Sequence, residues 1–276
     1  MKIFDPTYSA SVHHCARAHQ HAYYERLTPA QLSTRLLMGI AGHAALRELY
    51  RSAWNEDVAL KALREAWGEH RPLALAWLTL ARMEEVIGSY LRYWREREPY
   101  RTLVLCEEPL TVTSGGLTIG GIPDRIVDDQ GKLWVIDTKF TTGYLENLKT
   151  KLRFGHQLRT YCLLASEKIG QEVTSAVADI VRVTDKKTEF VRVTYDYTPD
   201  QLTETLAWHK AAELLDLRRA DFGGDLPQNP GVHCKFCDFA QLCEVSSPAL
   251  REGRKKMYYR VKPKVNGLLA SGADMS

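Results

Sequence analysis

One stretch of 21 residues, GGIPDRIVDDQGKLWVIDTKF (120–140), constrains the fold more than any other. Its segment KLWVI ends in a continuous apolar run, which is typical of a strand buried on both faces. Gln130-Gly131, just before it, is a hairpin signal, although weaker than Asn-Gly. If these two residues form the loop, the numbers of paired residues sum to 261. Asp124 then lies opposite Asp137, whereas a bulged loop would slip the register by one and leave the two carboxylates diagonal but near.

The acidic pair predicted at the end of this hairpin needs a compensating charge, because facing like charges destabilise a sheet. A divalent cation supplies that charge, and oxygen ligands suit Mg²⁺ or Mn²⁺. Lys139 shares a strand face with Asp137 and could stabilise a phosphoryl anion or orient an attacking water. The alternative is a buried Asp–Lys pair without a metal. The Asp-x-Lys tripeptide alone favours that alternative, but the Gly-x-x-Asp on the preceding strand weakens it.

A second constraint comes from three cysteines in CKFCDFAQLC, namely Cys234, Cys237 and Cys243. Their spacing is typical of metal ligands, but a tetrahedral metal or a cubane cluster needs a fourth ligand. The spacing alone leaves open Cys15, Cys106, Cys162 and the histidines of SVHHC and GVHC, and it fits zinc as well as an iron–sulfur cluster. Cys106 lies in a predicted strand and Cys162 on a predicted helix, so we expect both to be small buried side chains.

The order of predicted elements indicates an α/β or α+β fold around a mixed sheet. Helical periodicity covers residues 29–97, with Pro99 ending the run, and three strands follow in RTLVLCEEPLTVTSG, LTIGGIPDRIVDD and KLWVIDTKF. Residues 146–169 return to helix. A strand pair joined at 185–187 comes next, followed by a helix that begins at Thr198-Pro199. We expect one domain over 1–250, with a helical insertion at about 29–97 and a core at about 100–220.

The charge of the chain is concentrated in a predicted basic tail, residues 251–276. The whole chain carries +3, and the tail carries seven Lys or Arg against two acids, so the tail is +5 and the body −2. Arg254, Lys255 and Lys256, with tyrosines beside them, suit contacts to phosphates and bases, although a solvated terminus has the same composition. The sequence has no run of 18 apolar residues and no secretory signal at its N-terminus, so we expect a cytoplasmic protein.

Four motifs in order resemble the PD-(D/E)XK nucleases, in their RecB-like branch. They are Gly39-x-x-x-His43, Gly121-Ile-Pro-Asp124, Asp137-Thr-Lys139 and Gln157-x-x-x-Tyr161. One group of this branch includes the CRISPR-associated exonucleases and the nuclease subunit AddB, and it holds a [4Fe–4S] cluster with one N-terminal and three C-terminal cysteines. The resemblance therefore assigns the fourth ligand to Cys15, with Cys234, Cys237 and Cys243, and covers nearly the whole chain up to Cys243.

The resemblance implies a restriction-endonuclease-like mixed sheet flanked by helices, with an N-terminal helical region and a C-terminal iron–sulfur segment. Asp124, Asp137, His43 and the Thr138 carbonyl would bind the catalytic Mg²⁺ or Mn²⁺, and Lys139 would act on the phosphate or the water. Glu107 or Glu108 would match a family glutamate. Gln157 and Tyr161 would orient Lys139 or contact DNA. The alternative for His43 is a core histidine with no ligand role. The alternative for Gln157 and Tyr161 is an ordinary amphipathic helix.

The implied activity is metal-dependent DNA hydrolysis, as an exonuclease on single-stranded DNA or DNA ends, in recombination, repair, phage or CRISPR-adaptation processing. The sequence has no G-x-x-x-x-G-K-[ST], so any helicase motor would be a partner protein. The alternatives are a non-catalytic scaffold that binds DNA ends and a zinc-stapled nucleic-acid-binding protein. The polar segment HHCARAHQHAYYERL offers little apolar surface, and we expect the cysteine site to be its anchor.

Overall fold

The computed structural model describes residues 2–68, 75–98, 101–220, 222 and 224–263, so Pro99 and residues 264–276 of the predicted tail lie outside it. The strands are β1 Ile3–Phe4, β2 Leu27–Pro29, β3 Arg101–Cys106, β4 Leu110–Ser114, β5 Leu117–Gly121, β6 Arg125–Asp129, β7 Lys132–Thr141, β8 Ser175–Val183, β9 Thr188–Asp196 and β10 Tyr259–Val261. The helices are α1 Pro6–His14, α2 Ala16–His19, α3 Thr34–Arg51, α4 Glu56–Trp67, α5 Leu80–Arg95, α6 Leu145–Phe154, α7 Gln157–Ile169, α8 Pro199–Ala220, α9 Ala240–Cys243 and α10 Pro248–Tyr258.

The contacts divide the chain into two compact units. Of the described residues, those in 2–32, 113–119 and 206–263 form the terminal unit. Those in 33–112 and 120–205 form the sheet unit. Helix α10 crosses position 250, at which the sequence predicts the main domain to end. None of the described helices is both long and apolar enough to cross a membrane.

The sheet unit is built on a mixed five-stranded sheet of order β3-β6-β7-β8-β9. Strands β7 and β8 are parallel, and the other neighbouring pairs are antiparallel. A parallel pair needs a crossover, which α6 and α7 provide. The mixed α/β fold with helices on the sheet confirms the coarse fold prediction.

The hairpin register is the one that the sequence predicts. Ile126 pairs with Val135 and Asp129 with Lys132, so each pair sums to 261. The loop is Gln130-Gly131, and both residues have positive φ, 56° and 88°, as a type I′ turn requires. The register therefore places Asp124, directly before β6, across from Asp137.

Two apolar clusters lie on opposite faces of the sheet because neighbouring residues of a strand alternate between the faces. On one face Ile126 and Val135 belong to a cluster that includes Leu158 and Tyr161 of α7. On the other face Val127, Ile136 and Val177 form a smaller cluster. This second face is the side of α3, where the ring of Phe140 lies so close to Gly42 that an added Cβ would meet it at 2.4 Å. Because Gly42 has no side chain, α3 can pack directly against Phe140 of β7.

A buried ionic network lies beside the smaller cluster. Arg125 is 2% exposed and donates hydrogen bonds to Asp179 (2.7 Å) and to the Thr138 hydroxyl (3.2 Å). Arg192 donates to the same Asp179 oxygen (3.1 Å) and to Glu98 (2.8 Å). Two guanidinium groups thus face two carboxylates. Such a network is costly to disrupt, because removal of one partner leaves the others buried and uncompensated.

The predicted long strands and helices are more segmented than their patterns indicate. The stretch 101–115 divides into β3 and β4, and LTIGGIPDRIVDD divides into β5 and β6 around the motif with Pro123. Helix α6 ends at Phe154 and α7 starts at Gln157, with Gly155 between them. The strand pair β8–β9 and helix α8 agree with the sequence prediction.

The N-terminal segment of the terminal unit is anchored by buried polar contacts. Asp216, 3% exposed, accepts hydrogen bonds from Tyr8 (2.6 Å), Tyr24 (2.7 Å) and Lys2, and His19 Nε2 lies 3.2 Å away. Burial alone would raise the pKa of Asp216, but these contacts outweigh it and hold the pKa well below its usual range. The expectation that this segment has little means of docking besides the cysteine site is therefore wrong. Its partner is a carboxylate about 200 positions away, which local patterns do not reveal.

The described part of the predicted tail is folded. Helix α10 begins at the Ser247 N-cap, and β10 pairs antiparallel with β2, with Tyr259 opposite Pro29. Tyr259 also belongs to a small apolar cluster with Leu27 and Phe239. Residues 248–261 thus contribute to the packing of the terminal unit.

We predict that Asp179→Asn, which removes one negative charge from the buried ionic network without changing its shape, lowers the free energy of unfolding by about 3–5 kcal/mol. Urea denaturation followed by circular dichroism measures the change. Glu65→Gln, at the exposed Lys61–Glu65 pair (3.9 Å), is the matched control and should change stability by less than about 1 kcal/mol. Equal effects of the two substitutions would contradict the prediction.

Candidate metal centre

Three side chains of the sheet unit converge at the end of the β6–β7 hairpin. His43, Glu107 and Asp124 each place one nitrogen or oxygen within 4.8 Å of the others. They line a small cleft together with Leu46, Arg47, Tyr50, Cys106, Arg125 and Thr138. Sequence-distant segments therefore bring an imidazole and two carboxylates to one point.

His43 reaches this point from α3. Its Nδ1 lies 3.2 Å from Asp124 Oδ1, and its ring is edge-on to Phe140 with the centroids 5.8 Å apart. The close approach of α3 at Gly42 sets this position. Gly39, the glycine of the quoted motif, has no neighbour within 4 Å of an added Cβ. The structural need for glycine is thus one residue before the histidine.

Glu107 is held at the end of β3 by unusual backbone geometry. Its φ is +50°, its N–H donates to the Asp124 carbonyl (3.0 Å), and β3 has a register shift between Leu103 and Leu105. The sequence leaves Glu107 and Glu108 as equal candidates. The structure brings Glu107 to the site, while Glu108 is exposed. A non-glycine residue at positive φ costs energy, and such strain is concentrated at functional sites.

Asp137 and Lys139 form a neighbouring pair on β7. The Lys139 ammonium lies 2.7 Å from Asp137 Oδ2. Among the described residues this oxygen has no partner in hydrogen-bond geometry, so the contact is an ion pair rather than a directed hydrogen bond. Asp137 is buried, and the pair lies beside the group of three rather than within it.

Thr138, between these two residues, joins the site to the buried network. Its backbone N–H donates to Asp124 Oδ2, and its hydroxyl accepts from Arg125. The alternation of the strand sends its side chain to the α3 face, away from those of Asp137 and Lys139. Thr138 therefore connects the two groups: its backbone N–H positions Asp124, and its side chain is positioned by Arg125.

The pKa values of the site residues are shifted by burial and by neighbouring charges. Burial raises the pKa of Asp137 and of Glu107, and the charge of Asp124 raises both further. Burial would also raise the pKa of Asp124, but His43 and Lys139 outweigh it and lower that pKa. For His43 and Lys139 burial opposes the charged form, and the carboxylates outweigh it, so both pKa values are raised.

These observations fit a divalent cation. One imidazole and two carboxylates, with donor atoms within 4.8 Å of one another, form a group of the kind that holds a divalent cation. Burial first, and then the charge of Asp124, raises the pKa of Glu107 and of Asp137, and a bound cation would favour the charged form of both carboxyl groups. The mixed nitrogen and oxygen donor set is compatible with Mg²⁺ and especially with Mn²⁺.

Gln157 and Tyr161 lie on one face of α7 and contact each other, with Gln157 Nε2 donating to the Tyr161 hydroxyl (3.1 Å). Tyr161 is buried, and its ring lies against Gly121, where an added Cβ would meet the ring at 2.7 Å. The glycine of the Gly121–Asp124 motif and the tyrosine of the Gln157–Tyr161 motif are therefore packing partners.

Cys15 and the three C-terminal cysteines all belong to the terminal unit. Among the described residues, the group compact enough to hold an ion is His43, Glu107 and Asp124, and it contains no cysteine. Burial raises the pKa of Cys237 and of Cys243, and the charges of Cys15 and Cys234 raise both further. The N–H of Phe239 points at Cys237 Sγ (3.4 Å), a contact that stabilises a thiolate. Cys15 occupies the junction between α1 and α2.

Cys106 and Cys162 are buried in the sheet unit, as expected for small core side chains. Burial raises the pKa of both thiols. Neither residue lies in the terminal unit, which contains Cys15 and the three C-terminal cysteines.

The predicted DNA-contacting cations of α10 are partly engaged within the terminal unit. Lys255 Nζ lies 2.7 Å from Glu25 Oε2 and 2.9 Å from Glu252 Oε1. Arg254 donates to the Gln241 carbonyl and lies 3.4 Å from Glu244. Lys256, next to them on the same helix, has an exposed side chain.

Arg47 is the site residue that the sequence prediction missed. Its guanidinium lies 3.2 Å from Glu107 Oε2 and 2.9 Å from Glu48 Oε1. It follows His43 by four positions, which places it on the same helix face. The spacing is visible in the sequence, but the contact with Glu107 depends on the packing of α3 against β3.

The comparisons with known proteins agree with this geometry. The sequence profile of the PD-(D/E)XK nuclease superfamily matches residues 6–244. A search of curated proteins found no match. The crystal structure of a candidate exonuclease from Eubacterium rectale aligns with a TM-score of 0.52 at 15% identity, over 99% of this chain and 93% of that one.

A second solved structure, of the protein SSO0001, aligns over 77% of this chain and 84% of that one at 17% identity. Its TM-score of 0.35 is too low to support the fold assignment. The first alignment supports the fold, and the profile covers most of the chain, including every motif of the metal centre. The chain belongs to the PD-(D/E)XK nuclease superfamily.

Proposed function

We propose that this nuclease is a Mg²⁺- or Mn²⁺-dependent exonuclease that acts on single-stranded DNA or DNA ends. The observation that carries the proposal is the convergence of His43, Glu107 and Asp124 beside the Asp137–Lys139 pair. The first three would hold the cation, with Asp137 and the Thr138 carbonyl completing its surroundings. The cation, when bound, would polarise the scissile phosphate and increase the acidity of a coordinated water.

The chain's own residues supply position and charge. The Thr138 N–H fixes one Asp124 oxygen, which leaves the other directed at His43. Lys139 carries a positive charge that could pair with a phosphate oxygen as negative charge develops there. Gln157 is the first residue of α7, the helix that packs against this side of the sheet. Its side chain donates a hydrogen bond to the Tyr161 hydroxyl.

Within the superfamily we propose the RecB-like group that includes the CRISPR-associated exonucleases and AddB. Cys15, Cys234, Cys237 and Cys243 would hold a [4Fe–4S] cluster, and the effect of Cys15 and Cys234 on the pKa of Cys237 and of Cys243 supports a shared site. Zinc is the alternative, because four thiolates also suit that ion. Either the cluster or a zinc ion would link the N-terminal segment to the C-terminal segment.

The setting we propose is DNA processing in recombination, repair, phage or CRISPR adaptation, in the cytoplasm and with a helicase or adaptation protein as partner. The exposed Lys256, with Arg254 and Lys255, would add contacts to phosphates. A scaffold that binds DNA ends without cutting them is the competing function. The presence of Asp124, Asp137 and Lys139 with a compact ligand group favours catalysis over that alternative.

We predict that Asp124→Asn and Glu107→Gln each reduce Mn²⁺-dependent cleavage of end-labelled single-stranded DNA by at least about 100-fold, because each removes a ligand from the proposed metal centre. Gel analysis of the labelled products measures the rate and shows whether nucleotides leave from an end. Glu108→Gln is the matched control and should cut like the wild type. Wild-type protein that binds DNA ends but does not cut would favour the scaffold, and wild-type rates in both variants would disprove the metal centre.

Lys139→Ala should lower kcat by about 10²–10³-fold and leave the affinity for single-stranded DNA almost unchanged, because its charge would act mainly in the transition state. Fluorescence anisotropy in EDTA measures binding, and single-turnover cleavage with Mn²⁺ measures the rate. Lys132→Ala, at the exposed start of the same strand, provides the control. A large loss of affinity with normal turnover would make Lys139 a binding residue.

Cys15→Ser should remove the brown absorption near roughly 400 nm that thiolate-ligated iron clusters show, reduce iron from about four atoms per chain, and lower Tm. Protein purified without oxygen is required, with iron and zinc measured by mass spectrometry. Cys162→Ala, at a buried thiol of the sheet unit, should retain both iron and colour. Colourless wild-type protein with bound zinc would establish the alternative, and unchanged iron in Cys15→Ser would exclude Cys15 as the fourth ligand.

A further inference from the structure

Helix α6 carries an exposed stripe that the packing of the sheet unit does not use. Tyr144, at its N-cap, is 77% exposed, and Phe154, its last residue, is 68% exposed. Asn147 and Lys151 lie between them and are also exposed. The spacing of three, four and three residues places all four on one side of the helix, over a length of about 15 Å.

This spacing normally belongs to the buried side of a helix, but α6 buries another side. Leu152 is buried, and Leu145 and Leu148 pack partly against the main apolar cluster. The stripe of Tyr144, Asn147, Lys151 and Phe154 lies next to these leucines and faces solvent. Two large aromatic side chains at the two ends of an exposed stripe indicate a binding surface rather than a core.

The charges around the stripe identify the partner as anionic. Residues 144–154 contain three basic residues and one acid, for a net charge of +2. Lys149 is paired with Glu146 (2.8 Å), while Lys151 and Arg153 are exposed, with the Arg153 guanidinium 5.6 Å from the Phe154 ring centroid. Exposed Arg35 of α3 donates to Thr142 (3.0 Å), two residues before the stripe, and adds a cation there.

The position of the stripe in the chain connects it to the metal centre. Helix α6 joins the strand of Lys139 to the helix of Gln157, so Tyr144 follows Lys139 by five residues and Phe154 precedes Gln157 by three. Each end of the stripe is therefore within five positions of a proposed site residue. Two aromatic side chains with a cation between them suit a strand whose bases are unpaired, because every base has a face that stacks on an aromatic ring.

We propose that the α6 stripe binds the unpaired bases of single-stranded DNA and gives the enzyme a preference for single strands. Tyr144 and Phe154 would each stack on a base, and Lys151 would contact the phosphate backbone. The proposal rests on the nuclease function proposed above and adds to it the surface that selects the form of the substrate.

The test compares the affinities of Tyr144→Ala, Phe154→Ala and Phe154→Trp for a fluorescein-labelled twelve-nucleotide thymidine strand and for a twelve-base-pair duplex, by anisotropy in EDTA. Each alanine variant should bind the single strand at least about fivefold more weakly and the duplex equally well, since one stacked base contributes that much or more. Phe154→Trp should retain wild-type affinity. Tyr93→Ala, at a partly exposed aromatic residue of α5, is the matched control and should change neither affinity.

Two further measurements separate stacking from charge and from folding. An abasic strand should bind the wild type and both alanine variants equally, and Lys151→Ala should weaken both DNA forms and reduce the salt dependence of binding. Unchanged Tm in all variants excludes misfolding as the cause. Single-strand affinity that is unchanged in both alanine variants, or lost equally for the duplex and the abasic strand, would overturn the proposal. Cleavage with Mn²⁺ is measured separately, so absence of wild-type cleavage would refute the nuclease function and not the binding surface.

Discussion

Mutual repulsion among three carboxylates is the constraint around which the sheet unit is organised. Glu107 and Asp124 lie at adjoining ends of the neighbouring strands β3 and β6, and Asp137 lies within β7, across from Asp124. Without positive partners they would drive those ends apart. His43 and Lys139 lie on Asp124 and Asp137, and Arg47 lies on Glu107. Each cation is matched to one carboxylate, yet the pKa values of Asp137 and Glu107 remain raised, first by burial and then by the charge of Asp124.

The buried ion pair of Arg125 and Asp179 restricts the position of these site residues. Arg125 follows Asp124 directly in the chain and points to the opposite face, where it holds the Thr138 hydroxyl and Asp179. The Thr138 N–H in turn holds Asp124. An oxygen of the metal centre is therefore two hydrogen bonds away from a fully buried ion pair. This arrangement restricts Asp124 without using any of the side chains that the chemistry needs, which is how a preorganised site is built.

The sequence predicts those parts of the site that depend on local periodicity. The Gln130-Gly131 turn and the alternation of β7 are short-range properties, and together they give the register that places Asp124 across from Asp137. The choice between Glu107 and Glu108 could not be made in this way. It depends on a bulge in β3 and on a positive φ at Glu107, which are consequences of packing and leave no residue-type signal. The role of Asp216 is hidden for a similar reason, because its partners come from a segment about 200 residues away.

The two-residue turn of the β6–β7 hairpin has a consequence for how this protein can change over time. Its tip is exposed, and exposed loop tips usually accept insertions and deletions without loss of the fold. One added residue here would still allow β6 and β7 to pair, but a slip of one position would turn the side chain of Asp124 to the other face or shift it away from Asp137. The two loop positions can therefore accept any residues that tolerate a positive φ, but the number of residues in the loop is fixed. Inherited insertions at this place would be removed by selection on activity, even though the folded protein would tolerate them.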